Sequence, residues 1–477
     1  MRRLPRSGRG DPGIVTISRS LRVVVPLLLA LSLTGCVSFV VSRPGAPSER
    51  ASGTGAGGDV TIEGAADDPV DEQAEGALSD LEEYWSEQFP EVFGTEFEPL
   101  QGGYFSVDPE DVDPGEFPRG VGCGAQPLEV EGNAFYCQEP GASNSDSITY
   151  DRSFLAELAD NFGEFIPSLV MAHEFGHAVQ VRVGAPGSSI ATETQADCLA
   201  GSWTRWVADG QAENSRLEEP ELDELLRGFF QLRDPVGTST AEQSAHGSFF
   251  DRTSAFQEGF DDGPEACRDD FGPERVFTQG SFQDEDEALS GGNAPYPQLL
   301  DIVDRSLPAV WSQAFADIFD EDFTAPTIEP FDGDAPDCAD DPDLELVFCP
   351  DEQLVGFDEP DLAEPAFDDI GDFAVATAAA IPYSLSVRDQ LGLSTDDQDA
   401  MRSALCLTGW YAAKVFNGQA GERVQISPGD VDESVRFLLT YGDDPEVLGA
   451  ADLTGFQEVD LFRAGFTEGL ESCDVGL

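Results

Sequence analysis

Positive charge is what this chain most lacks. Against 93 Asp and Glu there are 25 Lys and Arg, giving a net charge of -68, and the one lysine is Lys414. Such a surface repels nucleic acid and anionic membrane surfaces, so neither is expected as a partner. It keeps a chain soluble and suits high salt, where screening relieves the self-repulsion. No acidic stretch has the twelve-residue spacing ending in Glu that an EF-hand requires. A loop such as Asp332 to Asp337 offers oxygens for calcium, but a solvated acidic face is the preferred reading. A long apolar run is missing too. Val23 to Leu33, behind Arg2, Arg3, Arg6, Arg9, Arg19 and Arg22, is too short to span a bilayer comfortably. Histidine is the third scarcity, with only His173, His177 and His246 in 477 residues.

What is present at the N-terminus reads as an export signal over residues 1–35. Its end, Leu33-Thr34-Gly35 before Cys36, resembles a bacterial lipobox, which makes Cys36 the expected acylated N-terminus of the mature chain. Residues 36–76 are rich in Gly, Ser, Ala, Pro and acid and read as a flexible tether. The expected location is the outer face of a bacterial cell membrane, held there by lipid.

Eight further cysteines in an exported chain predict four disulfides. An internal repeat constrains their pairing. Cys198 to Ala212 matches Cys406 to Ala420 at seven of fifteen positions, and Phe256 to Cys267 matches Phe462 to Cys473 at six of twelve. Upstream, Trp85, Phe89, Phe93 and Phe97 recur at the same spacing as Trp311, Phe315, Phe319 and Phe323. The chain therefore reads as two copies of one domain, 77–290 and 291–477. Equivalent pairing within each copy predicts Cys123 with Cys137, Cys198 with Cys267, Cys338 with Cys349 and Cys406 with Cys473. The expected fold class is α+β: two tandem domains, mainly helical with short strands, each with two disulfides.

In the first copy, strands are expected around 133–137 and 147–150, and helices near 79–93, 152–161, 164–183 and 192–209. The helix at 164–183 carries His173-Glu-Phe-Gly-His177, the H-E-x-x-H signature. Two histidines four apart share one helix face and can reach one metal, with Glu174 beside them as general base. On the next helix, Glu193 can complete a His2Glu zinc site that leaves the fourth position to water. Asp197, one turn on, can accept from the outer N–H of His173 and fix its tautomer. In the second copy these positions fall on Ile381, Pro382 and Leu385, so one zinc ion per chain is expected, in the first copy only.

Met171 to Gln180, then Glu193-Thr-Gln-Ala-Asp-Cys-Leu-Ala-Gly201, His246-Gly-Ser248 and Phe256 to Cys267, resemble the bacterial neutral zinc metallopeptidase family. That family reads H-E-x-G-H-H and E-x-Q-A-D-C-x-A-G at these places. Here Ala178 replaces the second His of its H-H pair. The family is similar to the thermolysin-like gluzincins, so the resemblance implies a zincin-like fold, Glu193 as third ligand and His246 as a donor to the oxyanion. The strand at Asn133 to Tyr136 is expected to pair with an extended substrate backbone. Cys198 adjoins the site, but its repeat partner Cys406 persists where the metal residues are lost, which favours a disulfide.

The expected function is an exported, lipid-anchored zinc endopeptidase acting on peptide or protein substrates. The competing class is a non-enzymatic cell-surface binding lipoprotein with structural zinc or none. Hydrolysis of a non-peptide bond is a third possibility, since the motif supplies an activated water without dictating the electrophile.

Overall fold

The structure, a computed structural model, describes residues 60–477 apart from 113, 114, 219, 220, 340, 422, 423, 425, 449 and 450. The expected signal peptide, Cys36 and the tether up to residue 59 lie outside the described residues.

The first segment opens with β1 (Ile62–Glu63), α1 (Pro69–Phe93) and β2 (Gly103–Val107). The helix starts well before the expected Ser79, and residues 60–76, read from sequence as tether, are folded. Asp68 caps α1 by accepting from the amides of Val70 and Asp71, and Pro69 sits in the first turn, where its missing N–H costs nothing. Small, acidic residues misled the sequence reading because they are used inside: Ala74 and Ala77 are buried, and Asp71 receives the Tyr150 hydroxyl and Arg152.

Next come β3 (Ala134–Cys137), β4 (Ser147–Asp151), α2 (Arg152–Phe162), α3 (Ile166–Val183) and α4 (Ser189–Ala208), close to the expected spans. The sheet order is β1-β2-β4-β3, with β1, β2 and β4 parallel and β3 antiparallel at the edge. Gly184, at φ 99°, ends α3 in a backbone region that favours glycine. Then follow α5 (Glu221–Leu232), α6 (Phe249–Asp262), α7 (Pro264–Asp269) and α8 (Glu285–Ser290). Helices α4 and α6 cross backbone to backbone, because a Cβ on Gly201 would lie 2.0 Å from the Phe256 carbonyl and one on Gly259 1.8 Å from that of Cys198.

The second segment contains α9 (Tyr296–Ala314), β5 (Thr327–Phe331), β6 (Leu346–Cys349), β7 (Leu354–Asp358), α10 (Glu364–Asp369), α11 (Asp372–Gln390), α12 (Gln398–Phe416), α13 (Asp430–Tyr441) and α14 (Gly455–Thr467). Its sheet order is β5-β7-β6, with β5 parallel and β6 antiparallel to β7. The same pattern relates β2, β4 and β3. Gly409 and Gly465 meet the carbonyls of Phe462 and Cys406 as Gly201 and Gly259 do theirs. All four expected cysteine pairs are in place, with Cα–Cα separations of 5.3 to 6.0 Å.

Among the described residues the main hydrophobic core runs through both segments, from Trp85 and Phe175 to Trp311, Tyr383 and Phe462, with a smaller cluster around Phe105 and Phe135 beside the first sheet. The segments also cap each other's helices. Asp432 of α13 accepts from the first amides of α6, Phe249 at 3.1 Å and Phe250 at 2.9 Å. Reciprocally, Asp223 of α5 accepts from the first amides of α14, Gly455 at 3.0 Å and Phe456 at 2.7 Å. Each carboxylate neutralises a helix end belonging to the other segment.

Candidate metal centre

Three donor atoms meet between α3 and α4. His173 Nε2 and His177 Nε2 are 3.2 Å apart, and Glu193 Oε2 lies 3.4 Å from the first and 3.5 Å from the second. Four-residue spacing stacks the two imidazoles on one face of α3, and Gly176 lets α4 approach: its Cβ would stand 3.0 Å from the Ala196 Cα. All of this is buried or nearly so, on helices with little exposed surface at this level.

The outer ring nitrogens decide which way the rings point. His173 Nδ1 lies 2.8 Å from Asp197 Oδ1, and a carboxylate can only accept, so Nδ1 donates. His177 Nδ1 lies 2.9 Å from Gln180 Oε1, whose amide nitrogen donates to the Thr192 carbonyl and to Gln195. Both Nδ1 atoms therefore carry hydrogen, and both Nε2 atoms face each other and Glu193 where a shared positive charge belongs. Zinc bonds of ~2.0–2.1 Å in a tetrahedron separate neighbouring ligands by ~3.3 Å, which matches the three observed distances. The donor set and its spacing fit zinc.

Electrostatics favour the same occupant. Burial disfavours charge on His173, but Asp197 beside it outweighs this and pushes its pKa up to about 10. Burial likewise opposes charge on His177, and Glu193 raises it. Glu193 is held well below the usual carboxylate range, because the two imidazoles overcome its burial. Asp197 is also lowered against its burial, chiefly by Arg252. Arg252 reaches it with two bonds, Nε to Oδ2 at 2.8 Å and Nη2 to Oδ1 at 2.7 Å. The pocket draws in a cation, and a proton or a metal ion competes for that place.

Glu174 is beside the three donors but is not one of them. Its Oε2 accepts from the Tyr136 amide on edge strand β3 at 2.6 Å, and burial raises its pKa. His246 is not among the converging donors. Its Nδ1 is 3.1 Å and its amide 2.8 Å from Asp234, and the next residue, Gly247, packs on Thr194 beside Glu193. The His246 loop thus lies against α4 next to the donor group. In α11, Ile381, Pro382 and Leu385 are buried apolar residues, where the repeat offset aligns the metal-site helix.

The sequence model of the family described as "Putative neutral zinc metallopeptidase" matches residues 5–271. The chain belongs to this family. Among the chain's relatives, the Rv2575 protein of Mycobacterium tuberculosis is 30% identical over 176 residues, covering 31% of this chain and 58% of its own length. The YpfJ protein of Escherichia coli K12 is 28% identical over 220 residues, 41% of this chain and 69% of that protein. Both carry the name "Uncharacterized protein". The match to the Mycobacterium protein thus spans less than two thirds of that relative. No solved structure matches the chain.

Around the candidate metal centre, sequence reasoning missed three residues. Gln180 was visible as the end of the H-E-x-x-H stretch, three residues past His177. Arg252 had a subtler signal: the offset that aligns Phe256 with Phe462 sets it against Glu458, a reversal of charge inside a matched repeat. Asp234 had none, because its partner His246 is twelve residues away across a loop.

Proposed function

We propose that this chain is an exported, lipid-anchored zinc endopeptidase with one active segment. The convergence of His173 Nε2, His177 Nε2 and Glu193 Oε2 within 3.2 to 3.5 Å of one another carries the reading. These three residues would hold the ion. Bound zinc supplies Lewis acidity, which brings the pKa of a coordinated water toward neutrality.

The chain's own groups do the rest. Glu174 takes the proton of the water that attacks the peptide carbonyl and returns it to the leaving nitrogen; burial raises its pKa in the direction that this role needs. Strand β3 pairs with β4 on one side only, and the Tyr136 amide on its other side points at Glu174. An extended peptide pairing along that open edge lies beside Glu174. His246, oriented by Asp234, donates to the oxygen on which charge develops. The run Val23 to Leu33 ahead of Cys36 supports export and acylation. The second segment reads as a degenerate copy, supported by the matched motifs, the parallel sheet patterns and the equivalent glycine crossings.

Glu174→Gln tests the reading. The variant retains about one zinc per chain by metal analysis, as a His2Glu site predicts, while cleavage of a peptide library disappears. Wild type purified without chelator yet lacking zinc, or cleavage that persists in the variant, refutes the peptidase.

A further inference from the structure

We propose that Asp372, Asp430 and Glu433 form a calcium site in the second segment, separate from the zinc centre. The three carboxylates come from the first turns of α11 and α13, and one oxygen from each lies within 4.8 Å of the others. All are buried. A backbone amide holds one oxygen of each: Ala294 N to Asp372 Oδ2 at 2.7 Å, Ser427 N to Asp430 Oδ2 at 2.8 Å, and Phe373 N to Glu433 Oε2 at 2.8 Å.

The remaining oxygens point to a ligand. Asp372 is 8% exposed and Asp430 4%, and the Oδ1 atom of each is buried without a hydrogen-bond partner. Native proteins seldom leave such atoms orphaned. The nearby Arg436 guanidinium donates to the carbonyls of Asp369 and Ile370, at 3.0 and 3.3 Å, and lowers the pKa of Glu433, but burial and Asp372 outweigh it. Mutual repulsion adds to burial in raising the pKa values of Asp430 and Glu433, so the cluster gains from an added cation as well as from protons.

Calcium fits better than its rivals. Oxygen donors exclude a preference for zinc, which favours nitrogen and sulfur. The three donor atoms lie within 4.8 Å of one another in a buried, all-protein setting; calcium accepts such irregular oxygen cages, whereas magnesium demands near-ideal octahedral geometry and keeps several of its waters. Glu287, which accepts from the Ser427 hydroxyl at 3.0 Å, and the Asn293 side chain, which accepts from the Asp372 amide at 3.1 Å, stand by as further oxygens. Bound calcium would tie the connection between the segments to the first turns of α11 and α13.

The test uses the full chain treated with EGTA, titrated calorimetrically with calcium or magnesium chloride and melted with each, zinc content being measured in the same samples. The expected result is one calcium per chain, a melting midpoint raised more by calcium than by equal magnesium, and loss of both effects in Asp430→Asn and in Asp372→Asn. Each metal-free variant is expected to melt no lower than metal-free wild type, since it has lost one repelling charge. The proposal is overturned if wild type binds no calcium, if magnesium acts equally, or if the calcium response survives in both variants. Zinc content and cleavage bear only on the peptidase reading, so either conclusion can fail alone.

Discussion

Asp197 is fully buried between His173 and Arg252, and its charge is tolerable only because both partners donate to it. Arg252→Met removes the guanidinium and strands the carboxylate, which costs ~3–5 kcal/mol when a buried pair loses one member. Because Asp197 also fixes the His173 tautomer, zinc affinity is expected to fall by ~10–100-fold. Urea unfolding and competition with a chelating dye read the two effects, and unchanged zinc affinity would disprove the orienting role. Glu458 stands at the corresponding repeat position with neither carboxylate oxygen partnered, and burial pushes its pKa from 4.5 up to about 9. Below pH 4.5 the group is protonated whether the chain is folded or not, so it costs the folded state nothing. From there to about pH 9 the unfolded chain ionises it and the native chain does not, so stability is lost as pH rises through that window. Glu458→Gln is expected to remove this slope, raising the urea midpoint at pH 8 and leaving it unchanged at pH 4. A wild-type midpoint flat across the window would exclude the effect.

At the scale of the helix, the reciprocal caps make a controlled comparison. Ser248 and Thr454 cap α6 and α14 from their own segments, so Asp432→Ala and Asp223→Ala each strip the first two amides of their carboxylate, costing ~1–2 kcal/mol by the usual worth of such an N-terminal acceptor. Only α6 carries Arg252, so only Asp432→Ala is expected to weaken zinc binding as well; equal weakening in both would show that the effect is not transmitted along α6. Helices α3 and α4 and strands β3 and β4 were legible in sequence to within a few residues, because apolar periodicity and glycine or proline stops declare such elements. His173 and His177 were legible for the same reason, at four-residue spacing on one helix; Glu193, on the next helix, was legible through its resemblance to the family motif. The start of α1 was hidden by residues as small as those of a linker, whose burial depends on Tyr150 and Arg152 far downstream. Asp234, Arg252 and the Asp372 cluster were hidden because their partners are brought together only by tertiary packing. Repetition made the disulfides readable where spacing alone allows 105 pairings.

Across the whole molecule, the shared core makes the two segments interdependent despite their internal resemblance. A chain ending at residue 290 would expose the α6 amides and the faces that pack on α13 and α14. Such a chain is expected to aggregate or remain unfolded by circular dichroism, and co-expression with residues 291–477 is expected to restore soluble, zinc-binding protein. A monomeric, zinc-loaded 1–290 fragment would refute this dependence. The bond from Phe249 to Asp432 spans 183 positions of sequence, and contacts of such separation form late in folding. During synthesis the metal-binding helices emerge first, yet the residue that seats α6 arrives near the C-terminus. The seating of α6, and of Arg252 against Asp197, is therefore timed by the synthesis of α13, well after the donor helices α3 and α4 have been made.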